Sequence, residues 1–406
     1  MDARKARPRG ANATSMTTHT LTTRIERPAE EVTAWLARPG AETRLTPHWA
    51  VANTPLKIFS TAIKSLDTSS CTVTEELRPP ESLELAPATI EHYLACRHAT
   101  LRNDIEQTAA YGAVRRLRIA VAGASGVIGR ALAPFLQAQN HEVIPLARDP
   151  KTGGFNPDQL AQALTGIDAV INLAGASLAA AKWDQTQRDL IWESRAGATR
   201  ALVAALATLK QRPFALLNAS ATGYYGSQGD KLLDENAPRG DGFLADVCHG
   251  WEYEANAAAE FGLRVACLRF GTVLTPDGDA FATRLPYFEK KLGAMLGHGR
   301  QWISWISIDD AIAAIYHSIL THACAGPVNI TAPNPVPNAE LVDTLAAALG
   351  KKRRSRTPRW LLRLRYGIDF ANETMLASTR AIPAKLRDSG YNFRHPDLET
   401  ALEQLL

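Results

Sequence analysis

The chain lacks the cysteine pattern of a stapled or zinc-held fold. Its five cysteines (Cys71, Cys96, Cys248, Cys267 and Cys324) are odd in number and include no C-x-x-C pair, so they read as reduced thiols and no metal site is expected. It also lacks an apolar run long enough to span a membrane. The opening MDARKARPRGANATS has no apolar centre of the kind a secretory signal needs. The expectation is a cytoplasmic protein, in which the sequon Asn12-Ala13-Thr14 is fortuitous. A large excess of one charge is missing too: 45 Lys plus Arg against 41 Asp plus Glu leave +4. That is too little to imply a nucleic-acid partner and points to a small-molecule substrate, with a monomer or homodimer expected. No internal repeat is visible. What remains is an ordinary globular composition, 46% hydrophobic and 21% charged over 406 residues, enough chain for about two to three domains.

Residues 1–16 are basic, small and aperiodic, and are expected to form a disordered tail. Residues 17–112 mix strand-like text, such as residues 20–25, with a helix announced by Pro28-Ala29-Glu30-Glu31, where the proline suits a first turn and the acids suit the dipole. At Leu117 the character changes to apolar segments alternating with amphipathic ones, the rhythm of a parallel sheet covered on both faces. This persists to about residue 335. Residues 336–406 carry helical periodicity over 339–349, a basic connector from Lys351 to Arg356 expected to be solvated, and short helices.

Leu117, Ile119 and Val121 alternate and run into Gly123-Ala124-Ser125-Gly126-Val127-Ile128-Gly129, after which Leu132, Phe135 and Leu136 continue at helical spacing. Strand, glycine turn, helix is the arrangement in which a dinucleotide pyrophosphate meets backbone N–H groups. Gly123 suits the tight turn, Gly126 the approach of the phosphates, and Gly129 the close packing of the helix. Ser125, Val127 and Ile128 belong to the same cradle. The next strand ends in Arg148-Asp149. The arginine suits the 2′-phosphate of NADP, while Asp149 keeps NAD open. A further strand ends in Asn172-Leu173-Ala174-Gly175, where Asn172, Ala174 and Gly175 suit the edge beside a cofactor. Residues 214–218 then deliver Ser220-Ala221-Thr222-Gly223-Tyr224-Tyr225-Gly226 to that edge.

Together these segments resemble an extended short-chain dehydrogenase/reductase over about residues 117–335. More narrowly, Lys182-Trp183, Glu193-Ser194-Arg195, the run from Phe243 through Cys248 to Trp251-Glu252, and Trp302 to Asp310 resemble the atypical branch of epimerase-family proteins of unsettled substrate. Its short C-terminal domain is resembled by residues 357–406, including Ile382-Pro383 and Gly390-Tyr391-Asn392-Phe393. The N-terminal part, with Ala29 to Trp35, Arg38-Pro39-Gly40 and Arg44 to Trp49, resembles the opening of a START-like (SRPBCC) helix-grip domain, with Tyr93 to Asp104 resembling its end. Too few residues lie between for a full sheet and long helix, so a shortened domain is expected. The resemblance implies an α/β fold: a Rossmann-type doubly wound parallel sheet with a smaller C-terminal domain on the substrate side, preceded by a small α+β region.

The resemblance also implies a Tyr-x-x-x-Lys pair for proton exchange, and the chain does not have one. The usual spacing places Leu244 and Cys248 at those positions; a shift of one turn offers Cys248 and Glu252. Arg195 stands where the superfamily often has an asparagine. The remaining candidates are Ser220 and Thr222 as donors to a substrate carbonyl, Tyr224 or Tyr225 as a phenol, Arg195 as an anchor for an anionic substrate, and Cys248 as a thiol near the nicotinamide. Asp309-Asp310 reads as a helix cap, and Trp251, Trp302 and Trp305 read as packing. Two functions follow: an NADP-dependent oxidoreductase or epimerase-like enzyme, or a nucleotide-binding protein without turnover.

Overall fold

The computed structural model describes residues 18–47, 56, 58–79, 86–147, 154–155, 157–290 and 292–406. The stretch 1–16, Arg148 and Asp149 lie outside the described residues. The chain begins with β1 (His19–Ile25), α1 (Ala29–Leu36), α2 (Ala41–Leu45), β2 (Ile58–Ser65), β3 (Cys71–Leu77) and the 23-residue α3 (Pro87–Ala109). The strands form an antiparallel sheet in the order β1-β3-β2, and α3 lies across it. Ile25, Val32, Trp35, Cys71, Val73, Leu101 and Ile105 fill the space between. A long helix is not expected from the length of this stretch, yet α3 runs through 23 residues.

Residues 118–330 build a six-stranded parallel sheet. Its strands are β4 (Arg118–Ala122), β5 (Glu142–Leu146), β6 (Ala169–Asn172), β7 (Ala215–Ala221), β8 (Arg264–Phe270) and β9 (Gly326–Ile330), in the order β9-β8-β7-β6-β4-β5. Every neighbouring pair is parallel. Strand alternation sorts the side chains into two cores. Ile119, Val121, Ile171, Leu217 and Leu268 face one; Ala120, Ala122, Val170, Leu216 and Cys267 face the other. The first core is closed by α4 (Val127–Ala138) through Leu132, Phe135 and Leu136, by α7 (Ile308–Leu320) and by the C-terminal helix Leu398–Leu405. The second is closed by α5 (Ala198–Ala207) and by α6 (Phe243–Asn256) through Ala255. From β4 the chain moves outward to β5, then returns to the other side of β4. The reversal opens a crevice at the carboxyl ends of β4 and β6, the place where open α/β sheets receive ligands.

The N-terminal region is clamped to this sheet by buried charge. Arg44 pairs with Asp104 at 2.8 Å and with Asp309 at 2.7 Å, and Arg394 reaches Asp104 at 2.5 Å. Both aspartates hold Arg44 charged in spite of its burial. Asp309 and Asp310 therefore do other work than the capping their position suggests. The cap of α7 is Ser307, whose side chain accepts from the Asp310 N–H at 3.0 Å. Asp310 in turn accepts from the Tyr391 hydroxyl and from the N–H groups of Arg394 and His395. Lys351, Lys352, Arg353 and Arg356 of the basic connector are exposed, and its backbone over Arg354–Thr357 forms a strand beside Ala294–Leu296. Trp251 and Trp305 are buried, as expected of packing residues.

Candidate functional site

The carboxyl end of β4 shows why glycines stand in the turn that follows it. Gly123 has φ +79°, and a Cβ there would lie 2.8 Å from the Leu173 carbonyl group. The turn thus needs both a left-handed backbone and close passage beside the end of β6. Gly129 has no room either: its Cβ would stand 2.3 Å from the Gly123 carbonyl oxygen. The crowding comes from the turn itself, folded back on the first turn of α4, rather than from the sheet. Gly126 differs. It is exposed, directly precedes α4, and a Cβ on it would meet only the Gly123 oxygen at 3.2 Å. Ser125 is exposed beside it, and Val127 and Ile128 are half-buried in the first turn of the helix. No side chain caps this end of α4, and the N–H groups of Val127, Ile128 and Gly129, which precede the first intrahelical bond from Arg130 to the Gly126 carbonyl, have no hydrogen-bond acceptor among the described residues.

The end of β6 is held from within. Asn172, expected to line a cofactor, is fully buried and turned the other way. Its Nδ2 donates to Thr199 Oγ1 at 2.8 Å and to Asn218 Oδ1 at 2.7 Å, and its Oδ1 accepts from the Ala174 N–H at 3.2 Å. Its contribution is the position of Ala174 and Gly175. Arg195 secures the same segment from outside. It sits in a π-helical turn, Glu193–Gly197, between Gln185–Trp192 and α5. It donates to the carbonyls of Ala176 at 3.0 Å and Ile191 at 3.2 Å and lies over the Trp251 ring. A Cβ on Gly175 would come within 3.1 Å of its guanidinium carbon. Arg195, expected to anchor an anionic substrate, directs these donors to the backbone carbonyls of Ala176 and Ile191.

The carboxyl end of β7 carries the other candidates. Register places Ser220 directly opposite Arg269 of β8, and α6 lies over that face of the sheet. Glu252 of α6 fills the gap between them. Its Oε1 accepts from Ser220 Oγ at 2.7 Å and from Arg269 Nε at 2.8 Å, and its Oε2 accepts from Arg269 Nη2 at 2.8 Å. All three residues are buried. Arg269 Nη1 reaches the Tyr225 hydroxyl at 3.0 Å, and that hydroxyl donates to Asn329 Oδ1 at 2.7 Å. Burial pushes the Tyr225 phenol up to about 12. The network was not foreseen in the sequence. The available signal was Arg269, a charged residue near the carboxyl end of β8 directly after the apolar run Val265-Ala266-Cys267-Leu268.

Cys248 lies one helical turn before Glu252. Burial, and then the charge of Glu252, push its thiol up to about 11, so at neutral pH it is a thiol and not a nucleophilic thiolate. The Thr222 and Tyr224 hydroxyls make no hydrogen bond among the described residues. Both side chains are half-buried, and the Tyr224 ring is stacked on the Arg269 guanidinium at 3.6 Å. The structure therefore divides the candidates: Ser220, Cys248 and Arg195 are engaged internally, whereas Thr222 and Tyr224 keep their hydroxyls available.

Residues 119–331 match the family described as NAD dependent epimerase/dehydratase. The chain belongs to that family. Residues 357–405 match a domain of unknown function, DUF1731. An epimerase family protein of Mycobacterium bovis is 38% identical over 295 residues, covering 70% of this chain and 96% of that protein. The chloroplastic epimerase family protein SDR39U1 homolog of Arabidopsis thaliana is 31% identical, covering 72% of this chain and 87% of that one. Among solved structures, human SDR39U1 with NADPH superposes with a TM-score of 0.66 at 31% identity, over 71% of this chain and 99% of that one. A nucleoside-diphosphate sugar epimerase of Corynebacterium glutamicum superposes with a TM-score of 0.76 at 28% identity, over 96% of this chain and 90% of that one. So wide a match includes the N-terminal region.

Proposed function

We propose that the chain is an NADP-dependent oxidoreductase or epimerase-like enzyme acting on a small-molecule substrate. The observation that carries this reading is the uncapped start of α4 behind a turn whose three glycines leave space on its outer side only at Gly126. Gly123, Ser125, Gly126, Val127 and Ile128 would receive the pyrophosphate, and Ala174 and Gly175 would flank the nucleotide where the strand order reverses. NADP is favoured over NAD by Arg148 and by the human relative whose structure contains NADPH. Such a nucleotide, when bound, supplies hydride transfer. This chain's part is to orient the substrate and move a proton, and Thr222 Oγ1 and Tyr224 OH are the groups assigned to it, with Glu252 and Arg269 holding the wall behind them. The N-terminal sheet and α3 are read as a shortened START-like module whose role here is docking.

A second reading, a nucleotide-binding protein without turnover, draws on the engagement of Ser220 with Glu252 and on the raised pKa of Cys248. Titration with NADPH and NADH, followed by tryptophan fluorescence, tests what the two readings share. NADPH is expected to bind more tightly, and Arg148→Ala to erase the preference; absence of binding to the folded protein overturns both. NADPH oxidation over a panel of carbonyl compounds then separates them. Turnover that Thr222→Ala reduces at least about tenfold supports the enzyme, and tight binding with no turnover supports the second reading.

A further inference from the structure

A cleft of about 330 Å³ lies between the loop after Tyr225, the turn 297–301 and the start of the helix Arg359–Tyr366, lined by His298, Arg300 and Arg359 with Ser227, Asp230 and Gln301 among the polar groups around them. Its basic side chains form no ion pair with a carboxylate among the described residues. Asp230, the acid in the lining, has Oδ1 engaged by the Trp302 indole N–H at 2.8 Å.

The hydrogen bonds around His298 conflict. The Arg300 N–H points at Nδ1 at 3.0 Å, and Arg359 Nη2, which is only ever a donor, stands 2.8 Å from Nε2. A neutral imidazole accepts at one nitrogen and donates at the other, so one of these contacts sets donor against donor. Protonating the ring makes both do so, and partial desolvation and the charges of Arg359 and Arg300 lower the His298 pKa. With Nδ1 accepting from the backbone, Nε2 carries the hydrogen. An oxygen anion between His298 Nε2–H and the Arg359 fork would accept from both and turn the conflict into two charge-assisted bonds.

We propose that this cleft binds a phosphoryl group, with His298, Arg300 and Arg359 as its donors and with Asp230, Ser227 and Gln301 facing the polar remainder of a phosphate ester. Two guanidinium groups and an imidazole N–H suit a group with several equivalent oxygens better than a carboxylate. The cleft is larger than an ion alone requires. It shares no residue with the crevice assigned to the nucleotide, so its test stands apart from that reading.

The test is calorimetric titration of the full chain at constant ionic strength with inorganic phosphate and with glucose 1-phosphate, in the wild type, Arg359→Gln and Arg300→Gln. Nitrogen-15 spectra of the His298 ring are recorded alongside. Saturable binding below about 10 mM is expected. Arg359→Gln should weaken it about tenfold or more, and the Nε2 resonance should shift on binding. Tighter binding of the ester than of phosphate assigns the site to an ester; equal affinities assign it to the free ion, and both support a phosphoryl site. Equal affinity in wild type and Arg359→Gln, no saturation in the wild type, or a parallel loss of NADPH binding in Arg359→Gln would overturn it.

Discussion

The carboxyl ends of β4 and β7 lie two strands apart in one sheet and are finished in opposite ways. After β4 the backbone is shaped by what is missing: side chains are absent at three positions and the helix start has no cap. After β7 the wall is shaped by what is present, with Ser220, Glu252, Arg269, Tyr225 and Asn329 joined in a buried network. The first end has polar groups directed outward; the second satisfies its polar groups among themselves. A fold can thus keep its nucleotide edge while rebuilding the neighbouring edge, because the two rest on different elements: α4 for one, α6 and β8 for the other. The position four residues after Cys248 carries a carboxylate, Glu252, and its counter-charge comes from β8 as Arg269 at 2.8 Å.

The largest loss is expected at Glu252. In Glu252→Gln the Arg269 guanidinium stays buried without its counter-charge, and removing one partner of a buried pair costs about 3–5 kcal/mol. Urea unfolding should show this loss, and adding Arg269→Met should restore most of it by removing the stranded charge as well. A loss under about 1 kcal/mol in the single variant would mean that the β7 wall is not held by charge.

The β4 end is tested by two glycines that differ in surroundings. In Gly129→Ala the new Cβ meets backbone, 2.3 Å from the Gly123 oxygen and 2.6 Å from Ala124 Cα. Overpacking of this kind costs about 1–3 kcal/mol and should distort the turn, so stability and NADPH affinity should fall together. In Gly126→Ala the one close neighbour is at 3.2 Å, so unfolding should change by less than about 0.5 kcal/mol. NADPH affinity should nonetheless drop at least about tenfold, because the methyl group occupies the side from which phosphates approach. If Gly126→Ala binds NADPH like the wild type, the pyrophosphate assignment fails while the fold description stands.

These two ends were also unequally legible in the sequence. Residues 117–136 are local: alternation, glycines and helical spacing fall within a single window, and the strand, turn and helix lie where that pattern puts them. The β7 network depends on register, which sets Ser220 opposite Arg269, and on a helix turn that brings Glu252 over both. No local pattern encodes that meeting. The same holds for Asp309 and Asp310, whose place at a helix start is visible in sequence, while their partners Arg44, Tyr391, Arg394 and His395 come from distant segments. Asn172 ends a strand at the sheet edge where a ligand is expected. Its interior partners, Thr199 and Asn218, became apparent only once α5 and β7 were in place.

The last contrast concerns reactivity. All five cysteines are buried and free, and Cys248 lies against the β7 wall with its thiol pushed up to about 11 by burial first and the Glu252 charge second. Raising the pKa reduces the thiolate present at a given pH: near pH 8 about one molecule in a thousand carries it, against roughly one in four for an unperturbed thiol. Iodoacetamide labelling read peptide by peptide should therefore be at least about a hundredfold slower at Cys248 in the folded protein than in urea. It should accelerate about tenfold per pH unit between pH 8 and 10 as the thiolate forms. Stability need not change for this to be observed. Rapid labelling at neutral pH, slowed by NADPH, would mean that Cys248 faces the nucleotide as a thiolate. The β7 end would then be an open reactive edge like that of β4, and the division between the two would disappear.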